Sequence, residues 1–121
     1  RKLNIPAMCE AAEQFEGTHD FKSFCASKTQ AQTTVRTVTG IEVETHSLSE
    51  GEYPSQKVII RVTGEGFLYN MVRIISGTLI KVGLGVYPPE HVKEILAACD
   101  RSKAGETVPA KGLFLKKIEY L

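Results

Sequence analysis

Gly66-Phe67-Leu68-Tyr69-Asn70-Met71-Val72-Arg73-Ile74-Ile75-Ser76-Gly77-Thr78-Leu79-Ile80-Lys81-Val82-Gly83-Leu84 is the stretch on which the fold of this sequence turns. Leu68, Met71, Val72, Ile75, Leu79 and Val82 recur at steps of three and four, which on a helix lines them up as one wide apolar stripe. The spacing predicts a long central helix over 64–84. Gly66, Asn70, Arg73 and Gly77 fall on a second line of the same cylinder, returning to within about 40°, and Lys81 continues it. A glycine inside a helix costs roughly 1 kcal/mol against alanine, so Gly77 implies that something approaches the backbone beside Arg73. Such a line is either an ordinary solvated face or a surface facing an anion. Solvated faces carry Glu, Lys and Gln, whereas this one is small, polar and singly charged; the planar fork of arginine suits a phosphate or a carboxylate.

Upstream of that helix, Ile5 to Phe15 places Met8, Ala11, Ala12 and Phe15 at helical spacing, with Pro6 in the first turn and Gly17 as a stop. Asp20-Phe21-Lys22-Ser23-Phe24 reads as a short helical turn that Asp20 caps and that Phe21 and Phe24 anchor. From Thr34 to Thr45 the odd positions Val35, Thr37, Thr39, Ile41 and Val43 form the drier side of a long strand. Lys57 to Thr63 alternates in the same way, which makes the two an antiparallel hairpin with a polar loop. Downstream, Pro88 and Pro89 open a helix with Val92, Ile95, Leu96 and Cys99 inward, ending near Asp100-Arg101-Ser102. Leu113 to Leu121 is strand-like by composition, with its alternation broken between Leu115 and Ile118. Helices packed on one face of a small antiparallel sheet give an α+β fold.

With 121 residues, 42% of them apolar, the chain is expected to form one domain over 1–121. Fifteen Lys and Arg against fourteen Asp and Glu leave a net charge of +1, so composition gives no polyanion-binding signature. No apolar run is long enough for a transmembrane helix, and Arg1-Lys2-Leu3-Asn4 is neither a start with Met nor a signal peptide, so a soluble piece of a longer protein is expected. Cys9, Cys25 and Cys99 are odd in number and widely spaced, without a CxxC pair or histidines at ligand spacing. They read as buried thiols of a reducing, cytoplasmic protein, with neither a disulfide framework nor a metal site.

Three blocks resemble the tRNA pseudouridine synthase A family: the quoted run from Gly66 to Leu79, His19-Asp20-Phe21 with Phe24, and Gly105 through Pro109-Ala110-Lys111-Gly112-Leu113-Phe114-Leu115 to Ile118-Glu119-Tyr120. They occur in the family's order and span nearly the whole chain. The resemblance implies the C-terminal half of the catalytic domain, of ferredoxin-like, split-βαβ type. It further implies an isomerase that converts uridine to pseudouridine in the anticodon arm of tRNA, without cofactor or metal, as a homodimer. The family's nucleophile is an aspartate in an R-T-D-x-G segment of the N-terminal half, and this sequence contains no such segment. The chain alone is therefore expected to be inactive, with tRNA and that N-terminal half as its partners.

Neither Asp20 nor Asp100 reads as the missing nucleophile, since each sits where a helix cap or turn is the default. Arg73 matches the family arginine that faces the catalytic aspartate and is expected to support it. An opposite charge within about 4–6 Å lowers a carboxylate pKa by roughly 1–3 units, keeping it ionised for attack. Leu113 matches an apolar residue near the pocket floor, although a plain core leucine fits the pattern equally. Phe67, Asn70, Arg36 and Lys111 complete the substrate-binding candidates; Asn70 departs from the histidine that many members carry. His19 reads as scaffold for its turn. The rival classes are a stand-alone RNA-binding module and a protein-interaction half-domain. The first of these calls for stacking aromatics on a strand face, where the two long strands offer Val, Ile, Thr and charges.

Overall fold

The computed structural model describes residues 3–25, 33–48 and 55–107. In chain order they form α1 (Ile5–Glu13), β1 (Gly17–Asp20), a 3-10 turn (Lys22–Phe24), β2 (Val35–Leu48), β3 (Ser55–Glu65), α2 (Met71–Gly83), α3 (His91–Ala98) and a second 3-10 turn (Arg101–Lys103). The strands make an antiparallel sheet in the order β1-β2-β3, which bears out the α+β expectation. The strand expected over 113–121 lies outside the described residues, as do Lys111 and Leu113.

Two left-handed residues shorten the central helix. Gly66 (φ +68°) and Asn70 (φ +63°) hold a conformation that no α-helix contains, so α2 begins at Met71 and not near residue 64. Residues through Glu65 belong instead to β3. The line drawn through Gly66, Asn70, Arg73 and Gly77 therefore does not exist as a helical stripe. Within α2 most of the apolar reading holds: Met71, Ile75, Leu79 and Val82 are buried, joined by Ile74 and Thr78, while Val72 is half-buried.

β1 is a second correction. Gly17, at φ +102°, turns the chain out of the α1 region, and residues 17–20 pair with β2, a strand that the sequence reading did not include and that takes Asp20 from the expected turn. The turn itself follows at Lys22–Phe24, and Asp20 still serves it: Asp20 Oδ1 accepts from the Lys22 N–H at 3.1 Å and from Thr34 Oγ1 at 2.5 Å. Phe21, Phe24 and Phe15 are fully buried, the last two edge to face with centroids 5.0 Å apart. Phe15 lies just past the end of α1, shorter than expected; Met8, Ala11 and Ala12 are that helix's buried face.

The hairpin register pairs Ile41 with Val62, Val43 with Ile60 and Thr45 with Val58, so one face collects the apolar side chains. The opposite face carries Glu42 and Glu44, both ion-paired to Arg61. Thr39 is an extra residue in β2, because Val38 faces Gly64 while Gly40 faces Thr63. That bulge shifts the phase by one position, which is why Val38 is buried and Val35 is 46% exposed, against the odd-numbered dry face expected from strict alternation.

Segments before and after α2 are tied to it or to one another. The Asn4 N–H donates to the Gly83 carbonyl at 2.8 Å, joining the start of α1 to the end of α2. Ser23 Oγ, fully buried, donates to the Ile95 carbonyl and accepts from the Asp100 N–H, both at 2.7 Å, and so satisfies the last turn of α3. Gly105 crosses α2 at Gly77 and Thr78, its N–H donating to Thr78 Oγ1 at 2.9 Å. Of the three free cysteines Cys25 alone is buried, and Cys9 and Cys99 are half-buried, a partial correction to the buried-thiol reading. Among the described residues no helix is long and apolar enough to cross a membrane.

Candidate functional site

β3 ends at Glu65, and the link to α2 has to reverse direction within a few residues. Gly66 supplies the first left-handed step and Asn70 the second; asparagine tolerates this region better than other residues with a Cβ. Between them Leu68 is buried, and its carbonyl accepts from the Met71 N–H at 3.0 Å, closing a tight turn. The Ile74 N–H then bonds to the Asn70 carbonyl at 2.9 Å, and the helix is under way.

This turn fixes Arg73. Because Asn70 is left-handed, its side chain makes no cap bond to the helix backbone. Its Oδ1 accepts instead from Arg73 Nη1 at 2.9 Å. The guanidinium, at the third position of α2, is thus held at one corner while the side chain stays partly accessible. A bond of this kind limits the rotamers of a long side chain. Arg73 and Asn70 are therefore brought together by the turn, not by a helical stripe.

Arg36 approaches the same link from β2. Its Nη1 donates to the carbonyls of Thr33 (2.9 Å) and Val35 (2.7 Å), and its Nε would lie 3.9 Å from a Cβ placed on Gly66. Phe67 packs against the core beside Gly64, where a Cβ would stand 3.4 Å from its ring. Arg36 and Phe67 therefore flank the start of the link, and Asn70 and Arg73 its end. Gly77, by contrast, faces no outside ligand. What approaches its backbone is the chain's own Gly105–Glu106 segment.

Both described aspartates serve local turns. Asp100 accepts from the N–H (3.0 Å) and hydroxyl (2.8 Å) of Ser102, which hold its carboxyl below the usual carboxylate range. Asp20 is bound as described above. His19 Nε2 bonds with the Glu16 carbonyl at 2.8 Å, and its ring meets Phe21 edge to face, a scaffold position. Cys25 and Cys99 have thiol pKa values raised chiefly by burial, with the charge of Asp20 adding to the effect. Neither is poised as a nucleophile. Among the described residues no group of three or more His, Cys, Asp or Glu could hold a metal ion.

One residue escaped the sequence reading. Tyr69 is 71% exposed, between buried Leu68 and buried Met71. Continuing the helix back to residue 64 put Tyr69 off both stripes. The available signal was a lone aromatic followed at once by Asn, the residue with a Cβ best suited to ending a turn.

A sequence profile of the tRNA pseudouridine synthase family matches residues 11–121. The tRNA pseudouridine synthase A of Brevibacillus brevis is 49% identical over 118 residues, 98% of this chain and 45% of that protein. The tRNA pseudouridine synthase A of Bacillus subtilis is 47% identical over 119 residues, again 98% of this chain and 45% of the relative. A protein of Clostridium perfringens, tRNA pseudouridine synthase A 2, is 47% identical over 120 residues, covering 99% and 46%. The chain spans about half the length of the curated relatives it matches.

Proposed function

Since this chain belongs to the tRNA pseudouridine synthase family, we propose that it forms one wall of a site that isomerises uridine to pseudouridine in the anticodon arm of tRNA. In this reading residues 1–121 are the C-terminal half of the catalytic domain, and the N-terminal half of the enzyme supplies the nucleophilic aspartate. The observation that supports it is the bond from Arg73 Nη1 to Asn70 Oδ1 at the start of α2, which orients the guanidinium of the residue that matches the family arginine. The isomerisation exchanges the bond from uracil N1 to the ribose for a bond from uracil C5; the hydrogen on C5 leaves as a proton and N1 takes one up. The carboxylate must be ionised to begin this, and the guanidinium favours the ionised form.

Phe67, Asn70 and Arg36 line the approach of the RNA, Arg36 by a phosphate contact. Lys111 and Leu113 are assigned by family resemblance to a second phosphate contact and to the floor under the uracil ring. A base worked on in this way has to leave its stack, at a cost of a few kcal/mol that the enclosing walls offset. Two copies assemble, in the cytoplasm, and neither metal nor cofactor takes part.

The test is reconstitution. This chain, an N-terminal half expressed separately, and their mixture are assayed for tritium release from tRNA labelled at uridine C5. Release by the mixture and not by either part is the expected result. Release by this chain alone overturns the assignment of the nucleophile.

A further inference from the structure

Tyr69 is the most exposed large apolar residue among those described, and the turn that carries it is fixed on both sides. Leu68 is 5% exposed and Met71 1%, and the bond between their backbones closes the turn with Tyr69 at its tip. Asn70, next in sequence, is committed twice: its left-handed backbone shapes the turn and its side chain holds Arg73. The ring is therefore displayed by a rigid support, one residue from the Arg73 clamp. An exposed loop does not call for a large flat ring on such a support, since a small polar residue there would avoid exposing apolar surface to water.

We infer that the ring of Tyr69 is a stacking platform for an unpaired nucleobase of the RNA substrate, next to the site of reaction. The inference rests on the functional reading above and deepens it by adding a substrate-binding residue. A tyrosine face offers a flat π surface to any base regardless of sequence, and the turn has already fixed its backbone, so little further ordering is needed on binding. It is distinct from Arg36, whose guanidinium donates to the Thr33 and Val35 carbonyls and is assigned above to a phosphate contact. The hydroxyl of Tyr69 has no part in the contact; the ring face does.

The experiment measures tRNA affinity at several salt concentrations in the full-length enzyme that contains this chain, alongside pseudouridine formation by the parent. Tyr69→Ala is expected to weaken binding about tenfold, in line with the loss of one base–aromatic stack. Tyr69→Phe keeps affinity within about twofold because the ring face is retained. The slope of log Kd against log salt stays as in the parent, since no phosphate contact is lost. A thermal midpoint equal to the parent's, expected for so exposed a side chain, shows that Tyr69→Ala still folds. Affinity of Tyr69→Ala within twofold of the parent, an equal loss in Tyr69→Phe, or a shifted salt slope each overturns the inference while leaving the functional reading in place. A parent that forms no pseudouridine in tRNA defeats the functional reading itself, and this inference with it.

Discussion

α2 has two working regions, and they treat an approaching chain in opposite ways. Near its middle, Gly77 is bare so that Gly105 and Glu106 can lie directly on the helix backbone, and Thr78 fastens the crossing with its hydroxyl. At its start, Asn70 and Arg73 use side chains to keep a charged group partly accessible, and Tyr69 stands clear of the core. Both regions break the ordinary helical pattern of polar and apolar residues. The first does so to seal the protein against itself; in the function proposed above, the second serves another molecule. An irregular residue in a helix is thus not a sign of function until its neighbours are known.

The sharpest way to break the sealed region is Gly77→Ala. A Cβ there would overlap the Glu106 carbonyl oxygen and lie 2.9 Å from its carbon, so the crossing segment has to move off the helix. Overpacking of well-filled interiors costs about 1–3 kcal/mol and occasionally more, and a clash with backbone belongs at the upper end. The expected fall in thermal midpoint is about 10 °C by circular dichroism, and an unchanged midpoint would show the crossing to be loose.

Asn70 sharpens the comparison at lower amplitude. Asn70→Gly keeps the left-handed backbone and removes only the clamp, so stability is expected to stay within about 0.5 kcal/mol of the parent. Asn70→Ala removes the clamp and also strains the backbone, with about 1–2 kcal/mol lost. If the account is right, both variants lower pseudouridine formation alike although their stabilities differ. Catalysis that tracks stability instead would assign Asn70 to the fold alone.

The sequence reading went furthest where local spacing and burial agree. Met71, Ile75, Leu79 and Val82 of α2, Met8, Ala11 and Ala12 of α1, Val92, Ile95 and Leu96 of α3 and the antiparallel pairing of β2 with β3 could all be placed, because within each of these stretches the apolar residues keep one period. It failed where one residue changes the backbone without changing the pattern. Leu68 fits the helical stripe, yet Gly66 and Asn70 at positive φ end any helix there, and nothing in their spacing reveals it. Thr39 shifts the β2 face by a bulge whose cause lies in its pairing with β3. β1 was hidden because its partner is a distant strand, with Thr18 opposite Thr37 and the two hydroxyls 2.7 Å apart. At the site, the residue types of Arg73 and Asn70 marked them out but not their direct bond, and the close approach expected at Gly77 is made by the chain's own Gly105–Glu106 segment.

The central claim is that the guanidinium of Arg73 acts on a carboxylate brought by another segment. The direct test compares Arg73→Ala with the parent in the reconstituted enzyme, measuring tritium release from C5-labelled tRNA under single turnover with saturating protein. The account predicts a loss of roughly a hundredfold or more, as for other groups that position a reacting centre, with the thermal midpoint nearly unchanged. Release at the parent's rate would contradict it.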